Sequence, residues 1–146
     1  MKQDLVQLYE KNLNKVMEEI DAYRKEEDLW KKAGYIENSA GHLCLHIEGN
    51  LKHFIGRLLG DTAYERKRND EFSCDPVSKK RLLNGLEETK SVIRKTLSEM
   101  EQADLQKQYP IDVHGHPMST NYFLTHLLGH LNYHLGQINY LRRILN

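Results

Sequence analysis

The fold is decided near the carboxyl end of the chain, by the stretch Thr125-His126-Leu127-Leu128-Gly129-His130-Leu131-Asn132-Tyr133-His134-Leu135-Gly136-Gln137-Ile138-Asn139-Tyr140-Leu141-Arg142. Apolar residues recur there at three- and four-residue steps, which predicts an amphipathic helix. The histidines at 126, 130 and 134 recur at every fourth residue, so they stack on one side of that helix. No charged residue occurs between Pro117 and Leu141. Such a helix is either deeply packed or holds something that imidazole binds.

Length and charge restrict the class of protein. The chain has 146 residues, with 21 basic and 21 acidic side chains. This length predicts one domain over residues 1–146, and the balanced charge argues against a nucleic-acid binder, which normally carries a basic excess. No apolar run approaches the roughly 20 residues that span a bilayer, and the chain does not begin like a signal peptide. Cys44 and Cys74 are far apart in the sequence, so we expect two reduced thiols in a cytoplasmic protein.

Two helices are predicted in the first half of the chain. Apolar residues at helical spacing between residues 2 and about 27 predict a first long helix. Asn38-Ser39 offers N-caps for a second helix that runs to about Leu59. A long polar connection then begins at Gly60 and includes the charged stretch from residue 65 to residue 71.

Two more helices are predicted in the second half. Asp75-Pro76 is a typical helix start, with aspartate as the N-cap and proline in the first turn. Ser119 or Thr120 caps the last helix. Residues 108–118 could form a small hairpin around a His114-Gly115 turn, although their prolines disfavour strands. Four helices of this length predict an all-α four-helix bundle.

Helical geometry assigns the faces of the second helix. Glu48 and Lys52 form an i,i+4 pair, which predicts that both face solvent. The opposite face then carries His46 and Asn50, next to Leu43. We therefore expect His46 and Asn50 to point into the bundle.

In the last helix, His130 and His134 lie at the edge of the apolar stripe, one turn apart. Two imidazoles at i and i+4 can converge on one divalent metal, and an inward histidine from another helix would complete a three-nitrogen site. His46 is the best-placed candidate. Three protein ligands leave a coordination position for water or substrate, as in a catalytic metal site. His126 lies further round and is expected at the rim, around the ligands rather than among them.

The residues alone leave a second interpretation open. An inward histidine is more often a hydrogen-bonded core residue than a metal ligand, and an isolated His-x-x-x-His pair occurs by chance. Buried imidazoles need partners for both ring nitrogens, however, which three inward histidines on two uncharged faces do not easily find. A carboxylate-bridged di-iron centre is excluded, because the chain contains no Glu-x-x-His motif.

Two segments, His46-Ile47-Glu48-Gly49-Asn50 and His130-Leu131-Asn132-Tyr133-His134-Leu135-Gly136-Gln137-Ile138, resemble the DinB/YfiT-like superfamily of small metal-binding bundles. The similarity extends over essentially the whole chain in length, helix order and histidine placement, and its most specific part is His-x-x-x-His-x-Gly-Gln. It implies a four-helix bundle with a long crossover and frequent homodimers. It also implies a divalent metal, often zinc or nickel, bound by His46, His130 and His134.

The same resemblance implies a metal-dependent enzyme acting on a small molecule. Characterised relatives include transferases and isomerases that use low-molecular-weight thiols such as bacillithiol, mycothiol or glutathione, so a thiol S-transferase is the main hypothesis. Gln137, one turn after His134, and Asn50, one turn after His46, are expected to orient a ligand or contact substrate. A metal-dependent hydrolase and a non-catalytic, metal-stabilised dimeric interaction module stay open as alternatives. No catalytic residue is predicted.

Overall fold

The structure, a computed structural model, describes all 146 residues. It contains no β-strand, and the prediction of an all-α bundle is confirmed. None of its helices offers enough apolar length to cross a bilayer. The five α-helices are α1 (Lys2–Asp21), α2 (Ala40–Leu51), α3 (Asp70–Ser73), α4 (Lys79–Glu99) and α5 (Thr120–Leu145); a π-helical segment, Lys52–Arg57, extends α2, and short 3-10 turns lie at Glu26–Trp30 and Gln102–Gln106.

The four long helices form the bundle, with α1 and α2 diagonally opposite and α4 and α5 between them. α1 and α5 run in the same direction, as two contacts show. Tyr9 of α1 donates to the Leu124 carbonyl in the first part of α5, and Glu19 near the end of α1 pairs with Arg142 near the end of α5. α2 and α4 are parallel to each other and opposite in direction to that pair. Residues 58–78 must therefore run back along the bundle, which is the long crossover that the resemblance implied.

One continuous apolar core fills the space between the helices. On α1, for example, Tyr9, Leu13, Val16 and Ile20 are completely buried at three- and four-residue steps. Burial of each such side chain contributes about 1.5–3 kcal/mol before the cost of chain ordering. This core fixes the separation of α2 and α5, the two helices that carry the predicted ligands.

Serine hydroxyls cap three of the four long helices. Ser39 and Ser119 accept hydrogen bonds from backbone N–H groups in the first turns of α2 and α5, as predicted. The predicted start of the third long helix at Asp75-Pro76 is wrong. Ser78 caps α4 instead, and its hydroxyl accepts from the Arg81 N–H at 3.0 Å. A serine two residues beyond the proline satisfies the free N–H groups of the first turn equally well, so both starts were compatible with the sequence.

The hairpin suggested for residues 108–118 does not form as strands. A single antiparallel bridge between Gln108 and Ser119 joins the ends of this segment. Pro110 and Pro117 have no N–H group and cannot extend a ladder of hydrogen bonds beyond it.

The prediction that Glu48 faces solvent is wrong. Glu48 does pair with Lys52, at 2.9 Å, but its side chain is only 6% exposed. Both carboxylate oxygens also accept from Arg81 of α4, at 3.2 and 3.3 Å. The carboxylate fits there because Gly85 has no Cβ, which would lie 2.3 Å from Glu48 Oε2. An i,i+4 ion pair marks a polar contact, and here that contact faces another helix.

We expect Glu48→Gln to lower the free energy of unfolding by about 2 kcal/mol, because it leaves Lys52 and Arg81 beside a neutral group in a poorly hydrated contact. Glu88→Gln is the matched control. Glu88 also pairs with Lys52, but its side chain is 68% exposed, so its loss should cost less than about 0.5 kcal/mol. Urea denaturation measures both changes, and equal effects would contradict a buried role for Glu48.

Candidate metal centre

Three histidine ring nitrogens meet between α2 and α5. The Nε2 atom of His130 lies 3.3 Å from Nε2 of His46 and 3.0 Å from Nε2 of His134. The three potential ligand atoms all lie within 4.8 Å of one another. The structure thus brings together the three residues that were predicted as ligands, and it positions them to hold a metal ion.

The helices explain this arrangement. His130 and His134 are one turn apart on α5, so their rings project from the same edge, with Leu127 and Leu131 buried beside them. His46 approaches from α2 and is 5% exposed, whereas His130 and His134 are only partly buried. The centre therefore sits at the margin of the core, closed on the α2 side and accessible along α5.

A carboxylate that sequence reasoning missed holds the other side of the His46 ring. Glu71, on α3, is 6% exposed and its Oε1 lies 3.0 Å from His46 Nδ1. Arg66 donates to both carboxylate oxygens, at 2.9 and 3.0 Å. Because the carboxylate only accepts, Nδ1 of His46 carries the proton and Nε2 presents its lone pair.

Glu71 is suited to this role because it remains ionised. Burial by itself would raise the pKa of its carboxyl group. The hydrogen bonds from His46 and Arg66, and the charge of Arg66, outweigh burial and bring the pKa below its ordinary value. An ionised carboxylate behind a histidine ligand fixes the ring and makes the opposite nitrogen a better donor to a metal.

Gln137 orients the His134 ring in the same way as Glu71 orients the His46 ring. Its Oε1 lies 2.6 Å from His134 Nδ1, so that nitrogen donates and Nε2 of His134 presents its lone pair. This is the contact expected for Gln137 from its position one turn after His134. Two of the three facing nitrogens are therefore fixed as acceptors.

The third histidine cannot satisfy both of the others. Burial, together with the neighbouring His134 and His46, lowers the pKa of His130 to about 4, so its ring is neutral near pH 7. A neutral ring with a proton on Nε2 can donate to one neighbour only. At least one inward nitrogen lone pair then has no hydrogen-bond partner in a partly buried place. A metal cation would satisfy these lone pairs.

The spacing also fits a small divalent ion. Nitrogen ligands lie about 2.0–2.1 Å from zinc, and two such ligands in tetrahedral geometry are about 3.4 Å apart. Two of the three observed separations, 3.0 and 3.3 Å, are close to that value, and the third lies within 4.8 Å. Imidazole donors suit zinc and nickel.

The structure gives a reason for the glycine at position 49, within the His46–Asn50 segment. A Cβ at position 49 would lie 1.9 Å from Oε2 of Glu71. Glu71 can therefore approach His46 only because the next turn of α2 has no side chain at this point.

The other two predicted residues, Asn50 and His126, lie outside this set of contacts, as does a further histidine of α2, His42. Asn50 is 7% exposed, its Oδ1 has no hydrogen-bond partner, and it forms no hydrogen bond to the triad. His126 is exposed at the rim, as predicted, with its ring 4.7 Å from that of His114. His42 contacts the Ser39 hydroxyl and the Cys74 carbonyl through its two ring nitrogens, so it is not available as a fourth ligand.

Aromatic rings flank the three histidines. Phe72, from the crossover, lies 4.7 Å from the His46 ring, and Tyr133, which is 66% exposed, lies 5.3 Å from His134. With Arg66 and Glu71, Phe72 makes the crossover a wall of the site. In the sequence, the charged stretch from residue 65 to residue 71 could have indicated this wall. A run of charged residues that must pass along a bundle face often pairs with polar groups on that face.

The structure is similar to the crystal structure of a DinB-like protein from Bacillus cereus ATCC 10987, with a TM-score of 0.78 and 23% sequence identity over 97% of this chain and 90% of that one. This likeness shows the fold, that of a DinB-like helical bundle, and confirms the resemblance found in the sequence. The chain belongs to the family described as "Protein of unknown function (DUF1572)", whose model matches residues 1–146. No curated protein matches the chain.

Proposed function

We propose that this protein is a divalent-metal-dependent enzyme that transfers a low-molecular-weight thiol to a small electrophile. The observation that carries the proposal is the open set of three inward Nε2 atoms, two of them fixed as acceptors by Glu71 and Gln137. Zinc or nickel is the proposed occupant. A divalent metal bound there supplies Lewis acidity, which lowers the pKa of a coordinated thiol.

The residues around the site have separate tasks in this proposal. His46, His130 and His134 would hold the ion, and His42 would not join them as a fourth ligand because both of its ring nitrogens are engaged elsewhere. Phe72 and Tyr133 offer flat apolar surfaces beside the His46 and His134 rings, against which an aromatic electrophile can stack. The sulfur then forms a bond to the electrophilic carbon, the carbon's bond to its leaving group breaks, and the thiol proton passes to solvent.

The state of Glu71 favours a thiol over water as the nucleophile. Both of its oxygens accept hydrogen bonds from His46 or Arg66, so it is not free to take a proton from water. Glu48 is turned away toward α4. A thiol ionises far more readily than water and needs less help from a general base. This supports transfer over hydrolysis.

The test is metal-dependent conjugation. Zinc-loaded and nickel-loaded protein is incubated with glutathione, cysteine or bacillithiol and 1-chloro-2,4-dinitrobenzene, and the thioether is followed by its absorbance. We expect a rate at least about tenfold above that of metal-free protein, since a metal-lowered thiol pKa raises the thiolate fraction by at least that factor. Absence of metal-dependent thioether with every thiol would refute the transferase. Thiol-independent release of chloride would instead indicate hydrolysis.

A further inference from the structure

The charged groups that contact the triad balance one another, so a bound divalent ion would make the centre positive. Imidazoles that bind a metal do so in the neutral form, and the one carboxylate in contact with them, Glu71, is matched by Arg66 in a two-point ion pair. A divalent ion held by the triad, which the proposed function requires, would therefore keep its full charge. A centre of this kind attracts anionic ligands.

A second cation stands beside the site without a partner. The Arg68 guanidinium lies 5.5 Å from the centre of the Phe72 ring, and that ring lies 4.7 Å from the ring of His46. Arg68 is exposed and forms neither an ion pair nor a side-chain hydrogen bond. Stacking on Phe72 holds the guanidinium in place and leaves its N–H groups free for a ligand.

The nearby acidic side chains are directed elsewhere. Glu65 and Asp70 line a cleft of about 270 Å³ together with the cations Lys67 and Arg81, and Glu71 also borders it. Arg68 does not line that cleft. On the opposite rim, α5 carries no charge before Arg142. Near the triad, the crossover thus offers a cation, Arg68, stacked on Phe72, and α5 offers a neutral aromatic side chain, Tyr133.

We propose that Arg68 is a specificity-determining residue that binds a carboxylate of the thiol substrate, so that the site selects anionic thiols. The proposal rests on the proposed function and adds an orientation to it. The carboxylate lies at Arg68, the sulfur lies at the histidines, and the electrophile occupies the Tyr133 side.

Lys67 provides a matched control. It is the neighbouring residue, it is exposed, and its substitution by glutamine removes the same charge, but it lines the cleft with Glu65 and Asp70, whereas Arg68 stacks on Phe72. Comparison of Arg68→Gln with Lys67→Gln therefore distinguishes the loss of a direct contact with the carboxylate from a general change in the electrostatic field of the protein.

The probes are glutathione and its diethyl ester, which differ in the two carboxylates. Dissociation constants are measured by calorimetry on the cobalt-loaded and the metal-free full-length protein. We expect wild type to prefer the acid over the ester by at least about tenfold, as a charge-assisted hydrogen bond requires. Arg68→Gln should lose about tenfold of that preference, and Lys67→Gln should keep it.

Three results would each overturn the assignment of Arg68. Wild type could bind both probes with equal affinity, it could bind neither measurably, or the two variants could lose the preference equally. The cobalt spectrum tests the proposed function separately, because sulfur ligation adds a charge-transfer band. One outcome would separate the two proposals. If the preference for the acid depends on Arg68, but neither the charge-transfer band nor conjugation is observed, the anion site is supported and the thiol transferase is refuted.

Discussion

The variant His130→Ala/His134→Ala is expected to bind divalent metal at least about 100-fold more weakly than wild type. Changes behind the ligands alone typically cost 10–100-fold, and this variant removes two of three ligands. With free zinc at about 100 times its dissociation constant, bound metal should stabilise the wild-type fold by about 2.7 kcal/mol, or roughly 5–10 °C in Tm. Elemental analysis after dialysis and thermal melts with and without zinc measure both effects.

His126→Ala is the control for this variant. His126 lies one turn before His130 on the same helix, but its ring is exposed and contacts His114 and Phe123. It should retain one equivalent of metal and the zinc-dependent rise in Tm. Equal metal retention by His126→Ala and the double variant would show that the triad is not the binding site.

Gly49→Ala is expected to weaken metal binding by about 10–100-fold and to destabilise the fold by about 2 kcal/mol. The new methyl group would occupy the position of the Glu71 carboxylate, 1.9 Å from Oε2, so the carboxylate must withdraw from His46. The loss of binding follows from the freed His46 ring, and the loss of stability from crowding in a packed contact. Zinc titration and urea denaturation report the two effects.

Gly136→Ala provides the comparison for this prediction. Gly136 is also helical, but a Cβ there would meet nothing within 4 Å. Alanine should stabilise α5 by up to about 1 kcal/mol, because glycine is a poor helix former, and should leave zinc affinity unchanged. If Gly49→Ala behaved in the same way, the contact between Gly49 and Glu71 would have no role in the site.

The sequence predicted the features that depend on local periodicity. The spacing of apolar residues predicted the four long helices, and the fourth-residue recurrence of His130 and His134 placed both at one edge of α5. His46 followed from the same geometry on α2. Ser39 and Ser119 were recognisable caps because their hydroxyls act within one turn.

The features that were missed depend on contacts between distant segments. Glu71 is 25 residues from His46, and the crossover that carries it has no periodicity from which its path could be derived. Glu48 was assigned to solvent because an i,i+4 pair normally lies there, and only the fold shows Arg81 on its other side. Glycines at 49 and 85 were the remaining clue, since each makes room for a carboxylate from another element.

The central claim is that His46, His130 and His134 bind one divalent metal between α2 and α5. A crystal structure of the zinc-loaded protein, with anomalous data collected above and below the zinc edge, tests it most directly. We expect one strong anomalous peak about 2.0–2.1 Å from the three Nε2 atoms, with Glu71 and Gln137 still bound to the outer ring nitrogens. A structure with no peak there, or with zinc only at His114 and His126, would contradict it.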